Sequence, residues 1–379
     1  MQIAQQQIHA INELHPALQQ FSNHFPDWVL VFAGIDLLKN PVFYAQVRQA
    51  FPDAVLVGCS TAGEISADGV NDGSAIITTV SWEYGKPPLA STELKNMEDS
   101  LAAGQRLGSQ LATHELAGVL VLGQGVNING SALIEGLASQ LPAGLPIIGG
   151  LAGDGGAFKQ TGVMTNDGVN DHAVLALGLP KGIAIGHGSF GGWKPFGPAR
   201  KVTRCAGNIL YELDGESALE VYKRYLGSYA AQLPTSGLLF PFEMLGQDHS
   251  EMGLVRTILG VDEAAGSLIL AGDIVLDGYL RLMHASNDAL IEGAEAAANA
   301  AHQMLQDTDE SLAILVSCVG RKLVMGGRVD EEVEAVGEVL GQGATLTGFY
   351  SYGEISPFVN STDCKLHNQT MTISILREA

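Results

Sequence analysis

Positive charge is what this 379-residue chain has least of: 20 lysines and arginines stand against 41 aspartates and glutamates, a formal charge of −21. Nucleic acids and anionic bilayers are recognised largely by neutralising their phosphates, so this balance argues against both as partners. Cysteine is also scarce. Cys59, Cys205, Cys318 and Cys364 lie far apart in the chain, which excludes a disulfide-dense scaffold and a paired CxxC zinc site and leaves reduced thiols as the expectation. No apolar run reaches the roughly eighteen residues a membrane helix needs. The N-terminal MQIAQQQIHAINELHPALQQF has no basic segment ahead of an apolar one, so no signal peptide is expected and the protein reads as cytoplasmic.

What is present is an apolar, glycine-rich chain, 46% hydrophobic with 47 glycines and long enough for about two domains. Short β-branched runs recur as strand candidates: VLVF at 29–32, AVLVG at 54–58, GVLVLG at 118–123 and LPIIGG at 145–150. Helical patterns fall between them, at 41–51, 97–112 and 131–141, and later at 216–226 and 286–306. AIITTVSW at 75–82 and HAVLALGL at 172–179 look like antiparallel additions, so the expected fold class is α/β with mixed sheets flanked by helices. Residues 186–198 hold five glycines and two prolines, the strongest interruption in the chain. A boundary near residue 180 is expected, giving domains over 1–180 and 181–379.

The stretch GCSTAGEIS at 58–66 sets a thiol and two hydroxyls between glycines, the look of a nucleophile loop. Residues 53–66 and 343–356 nevertheless align without gaps and agree at half their positions, including a shared GEIS, while Cys59 and Ser60 become Phe349 and Tyr350. A third strand-helix-strand stretch ends in LPIIGGLAGDGG, with Gly153 and Asp154 in place of Gly63 and Glu64. Repetition of this kind points to two related domains arising by internal duplication. A hydrolase using Cys59 or Ser60 is the less favoured reading, because GCSTAG lacks the GxSxG spacing of a nucleophile elbow and no partner base is evident. The favoured reading is a shared ligand pocket at the strand ends, built from Gly63, Glu64, Gly153, Asp154, Gly353 and Glu354 with Tyr350 and Tyr352 as walls.

Two further motifs bear on ligands. GQGVNINGS at 123–131 follows a strand and opens a helix, an arrangement that can cradle an anion or simply turn the chain. His187 lies in GHGSFGGWKPFG with Phe190, Trp193 and Phe196 nearby, the apolar walls and single imidazole that a haem pocket uses. His249, His284 and His367 are rival ligands. Cys364 and His367 form a CxxH pair short of a third metal ligand, and the absence of CxxCH excludes covalent haem.

VGCSTAGEI and IGGLAGDGGAF resemble the N-terminal FIST domain. GGWKPFGPARKVTRCAGNILYELDG, GFYSYGEISP and CKLHNQTMT resemble the C-terminal one. The likeness spans about residues 25–376 and implies a FIST N-terminal domain over 1–180, a FIST C-terminal domain over 181–379, and a ligand-sensing role in signal transduction with no catalysed reaction. No kinase, cyclase or DNA-binding module fits in the remaining residues, so a stand-alone sensor acting through a partner protein is expected, with homo-oligomers a further expectation. Stand-alone FIST proteins include the NosP-type haem proteins, which bind nitric oxide and modulate a histidine kinase. The resemblance thus implies non-covalent haem b, for which the aromatic surroundings of His187 and not a family motif make it the candidate ligand, or else an amino acid or similar metabolite bound without haem.

Overall fold

The computed structural model describes residues 1–305, 310–358 and 363–379. One strand-helix-strand pattern runs through the chain three times. The first repeat takes strand Trp28–Ala33, helix Pro41–Ala50 and strand Val55–Ser60, with the two strands parallel. Proline at the first helical position, together with the Asn40 side chain accepting from the Val42 amide at 3.0 Å, fixes where that helix starts. The second repeat uses Leu116–Gly123, Gly130–Ala138 and Ile147–Leu151; the third uses Ser311–Cys318, Val329–Leu340 and Ala344–Ser351.

Each repeat then leaves its own sheet. The hairpin Glu64–Ser66/Gly69–Asn71 of the first repeat pairs with Ala344–Ser351 of the third. Hairpin Val163–Thr165/Gly168–Asn170 of the second pairs with Val55–Ser60 of the first, and Gly353–Pro357/Cys364–His367 of the third pairs with Ile147–Leu151 of the second. After its hairpin each chain segment returns as an antiparallel strand, Ala75–Ser81, Ala173–Pro180 or Met371–Glu378, beside its own first strand. The exchange is cyclic, and it yields three six-stranded mixed sheets. The mixed α/β expectation is met, and AIITTVSW and HAVLALGL are the antiparallel additions. The repeat occurs three times, and its hairpins cross residue 180 in both directions.

Why the central strands carry no alternation follows from this arrangement, because both faces are covered. WVLVFA at 28–33 is buried at every position. Leu30, Phe32, Leu120, Leu122, Leu312 and Ile314 from all three repeats share one core, in which the Phe32 and Phe349 rings lie 4.6 Å apart. On the outer faces helices pack closely on the sheets. The Gly188 Cβ position lies 2.0 Å from the Ala297 carbonyl, so only glycine lets helix Asn287–Leu305 approach there. That helix matches the one expected over 286–306, whose last residue lies outside the described residues.

Between strand Ile183–Phe190 and the third repeat, residues 191–286 form an insertion. It carries a nine-stranded antiparallel sheet with its own core, including Leu210, Tyr222, Phe242 and Leu280, and the helix Ala218–Leu226 capped by Ser217.

Candidate functional site

The two GEIS copies are built alike at atomic level. Glu64 accepts a hydrogen bond from the Thr61 hydroxyl, and its other oxygen accepts from the Ser74 amide and hydroxyl, both at 2.8 Å. Glu354 accepts from the Ser351 hydroxyl at 2.8 Å and from the Thr370 amide and hydroxyl at 3.1 and 2.9 Å. In both copies the donors are a hydroxyl three residues back and the residue that opens the return strand. Burial is the dominant influence on both carboxyls and raises them, partly offset by these bonds; Glu354 is pushed up to about 7.

Sheet register, rather than glycine spacing, identifies the second copy. Glu64 sits opposite Phe349 and Glu354 opposite Gly150, and the residue in that register in the second repeat is Val163, opposite Cys59. Asp154 is therefore not the counterpart of Glu64. It lies in a longer loop and holds that loop's shape, accepting from the amides of Phe158, Lys159 and Gln160 at 2.8, 2.8 and 2.9 Å and from the Tyr352 hydroxyl. Tyr352 stacks on Phe158 at 4.1 Å.

The expected residues divide between environments. Gly63, Glu64 and Asp154 line a cleft of about 590 Å³ at the carboxyl ends of the first repeat's strands. Glu354 and Tyr350 are fully buried, and the Tyr350 hydroxyl bonds Glu332, itself locked to Arg321 at 2.6 Å in a buried ion pair. Tyr352 lines a separate cleft of about 270 Å³ beside the GQGVNINGS loop. In that loop Asn129 caps the helix by accepting from the Ala132 amide at 3.1 Å. Gly153 packs on the first repeat, its amide donating to the Ser60 carbonyl at 2.9 Å. Gly353 pairs with Leu151 in the exchanged hairpin.

Lys322 completes the larger cleft, and sequence reasoning passed over it. It stands on the short helix Val319–Met325 of the third repeat and reaches the first. Its ammonium donates to the Ala62 carbonyl at 2.8 Å, pairs with Asp72 and lies 5.3 Å from the centre of the Tyr350 ring. Gly63, at φ +139°, permits this contact, because a Cβ there would lie 2.5 Å from the lysine nitrogen. The available signal was position: SCVGRKL follows an apolar strand, where α/β proteins gather ligand groups.

The nucleophile candidates are engaged in packing. Cys59 is buried with its thiol pushed up, while the Ser60 hydroxyl donates to the Gly153 carbonyl at 2.7 Å and accepts from the Gly162 amide at 2.9 Å.

His187 is 2% exposed, and burial holds its imidazole below the usual range. The cleft that contains Phe190 and Trp193 is lined by His367, with His187 and Phe196 outside it. Phe196 meets His284 edge-on at 5.8 Å, and His249 stacks on Tyr279 at 3.8 Å. Cys364 and His367 do not converge, since the thiol donates to the Ile147 carbonyl at 3.1 Å and the imidazole bonds the Ser356 carbonyl at 2.9 Å. Among the described residues no group of three or more metal-ligating side chains occurs. No helix among them is long and apolar enough to cross a membrane.

Residues 27–216 match the sequence profile of the FIST N domain, and residues 218–357 match that of the FIST C domain. The chain belongs to the FIST family. FIST domains are sensor domains of signal transduction, and they act through other signalling proteins. This FIST protein is also 24% identical over 199 residues to an uncharacterized protein of Methanocaldococcus jannaschii, a match covering 48% of this chain and 37% of that relative's length. A crystal structure of cyanuric acid hydrolase from A. caulinodans aligns over 99% of this chain and 98% of its own, at 10% identity and a TM-score of 0.36. A likeness that remote carries no argument about activity.

Proposed function

We propose that this FIST protein senses a small zwitterionic metabolite of the amino-acid class in the cleft of the first repeat. One observation carries the reading: a single ammonium, that of Lys322, is held on the Gly63 turn in a cleft whose acidic lining residues are Asp36, Glu64, Asp72 and Asp154. Two of the three N–H donors of Lys322 go to Ala62 and Asp72, which leaves one for a ligand carboxylate. Asp36 is exposed, and the Asp72 side chain is 72% exposed, so both are available to a ligand ammonium. Because Lys322 belongs to the third repeat and its contacts to the first, a ligand that engages it changes how the two repeats are joined. That change is what a partner signalling protein, such as a histidine kinase, would read.

Calorimetric titration with the twenty common amino acids tests the proposal. At least one should bind saturably, its decarboxylated and deaminated analogues should bind more weakly, and Lys322→Met should weaken binding at least about tenfold. Absence of heat with every amino acid overturns it. Addition of the binding amino acid should then alter autophosphorylation of a partner kinase only when this protein is present.

A haem-based nitric oxide sensor is the second reading, favoured by the His187 ring nitrogen Nδ1, which is buried without a hydrogen-bond partner among the described residues. The surrounding residues do not fit a haem in this conformation, because the imidazole lines neither the cleft beside Phe190 and Trp193 nor the Lys322 cleft. Haemin titration decides the matter. A Soret band lost in His187→Ala supports this reading, and a colourless protein ends it.

A further inference from the structure

A second cleft, of about 470 Å³, lies where the inserted sheet meets the third repeat. Its walls are Phe190 from the core side, Trp193, Met283 and Leu254 from the insertion, and Phe358 from the exchanged hairpin. Two of these walls are held in place by specific contacts. The Trp193 indole N–H donates to the Gln369 carbonyl at 2.7 Å, and the Phe358 ring meets the His367 ring edge-on at 5.2 Å.

Two of the polar groups in the lining, Glu243 and Glu251, are acidic, and they stand beside Ser189, His367 and Thr370. Glu243 is 9% exposed, and one of its oxygens accepts both bonds from Arg281, at 2.9 and 2.6 Å, leaving the other uncommitted. Glu251 stands at the rim, and Arg281 is the one cation paired with the two glutamates. His367 is held neutral, burial pushing it down to about 4. The Ser189 hydroxyl, also in the lining, is buried with no hydrogen-bond partner among the described residues. Among the residues that line this aromatic-walled space, the two glutamates are the charged ones, with Arg281 and Arg256 outside the lining. That combination attracts an organic cation, through a carboxylate together with the negative faces of aromatic rings.

We propose that this cleft is a binding site for a small organic cation of the quaternary-ammonium or amine class, distinct from the Lys322 cleft and joining the inserted sheet to the core. Aromatic rings and a carboxylate suit a diffuse positive charge carried on methyl groups, and Ser189 can accept or donate to a hydroxyl on the same ligand.

The test compares choline with its uncharged carbon isostere, 3,3-dimethylbutan-1-ol, using tryptophan fluorescence of the full chain. Trp28 and Trp82 are 0% and 8% exposed and lie in the core, so Trp193 is the indole a ligand here would perturb. Choline should give a saturable change, binding roughly tenfold more tightly than the isostere. Glu243→Gln should weaken choline binding and leave the isostere unchanged. Phe190 is 37% exposed, so Phe190→Ala keeps the fold and should weaken both ligands. Lys322→Met should leave the choline response intact, which separates this site from the one above. Equal binding of choline and isostere, or no saturable response in the unaltered protein, overturns the proposal.

Discussion

Two copies of one loop, GCSTAGEIS and GFYSYGEIS, hold their glutamates by matching hydrogen bonds and put them in different surroundings. Glu64 lines an open cleft with Lys322 beside it, whereas Glu354 is sealed behind Thr370 and the fully buried Tyr350. The shared glutamate is thus a structural device of the repeat, tying the end of the second strand to the start of the return strand. Ligand binding depends on what the neighbouring repeat brings. In the first repeat the neighbour contributes an ammonium beside the cleft, and in the third Glu354 is fully buried.

Removing the buried copy should have the largest effect. Glu354→Ala leaves the Thr370 amide and hydroxyl and the Ser351 hydroxyl unpartnered around a cavity, and should cost about 3 kcal/mol in urea unfolding. Glu64→Ala should cost less, because water enters from the cleft to replace the lost acceptor. Near-equal losses would mean that the cleft beside Glu64 does not let water replace the lost acceptor.

The next effect is on pH dependence. Glu354 has an ordinary value of 4.5 and a folded value of about 7, so the folded state holds the proton more tightly than the unfolded chain. Its favourable contribution is complete below about 4.5 and is lost as pH rises through 7, so stability should fall across that window by a few kcal/mol. Glu354→Gln should flatten that decline, and Glu64→Gln, whose carboxyl is raised by the same cause, should alter it less. An unchanged profile in Glu354→Gln would show that the carboxyl titrates normally.

Glycine substitutions give the smallest difference. Gly63→Ala forces a side chain into φ +139° and against Lys322, and should cost about 1–3 kcal/mol together with loss of cleft binding. Gly353 has no such backbone constraint, and a Cβ there meets the movable side-chain methyls of Leu366 at 2.9 Å and Leu151 at 3.2 Å, so Gly353→Ala should cost less and leave cleft binding intact. Thermal melts of the pair, with a binding titration of each, measure both quantities.

Much of the frame was legible in the sequence because it depends on local pattern. Apolar strands between helices, Asn40 ahead of Pro41, and the repeated GEIS all mark the chain directly. The failures came from relations between distant segments. Asp154 looked like a third Glu64 because each follows a glycine, but strand pairing puts Val163 in that place and assigns Asp154 to its own loop. Lys322 escaped notice because its significance comes from contact with Ala62 and Asp72, some 250 residues earlier in the chain. Likewise His187 sits near three aromatics in sequence, yet strand Ile183–Phe190 directs it away from the cleft that Phe190 and Trp193 share.

The cyclic hairpin exchange has a consequence for synthesis on the ribosome. The first hairpin is made early, but its partner strand Ala344–Ser351 emerges only after the second repeat and the insertion have been made. Until then Glu64–Ser66 is an unpaired edge, and the second sheet waits equally long for Gly353–Pro357. The first sheet, all of whose strands lie within residues 2–170, can form before that, whereas the other two close only with the third repeat, a slow route that leaves sticky intermediates in need of chaperone protection. Once the ring of hairpins has closed, no sheet can come apart without opening another. A protease that nicks the loops between repeats should therefore leave fragments that stay together until denatured.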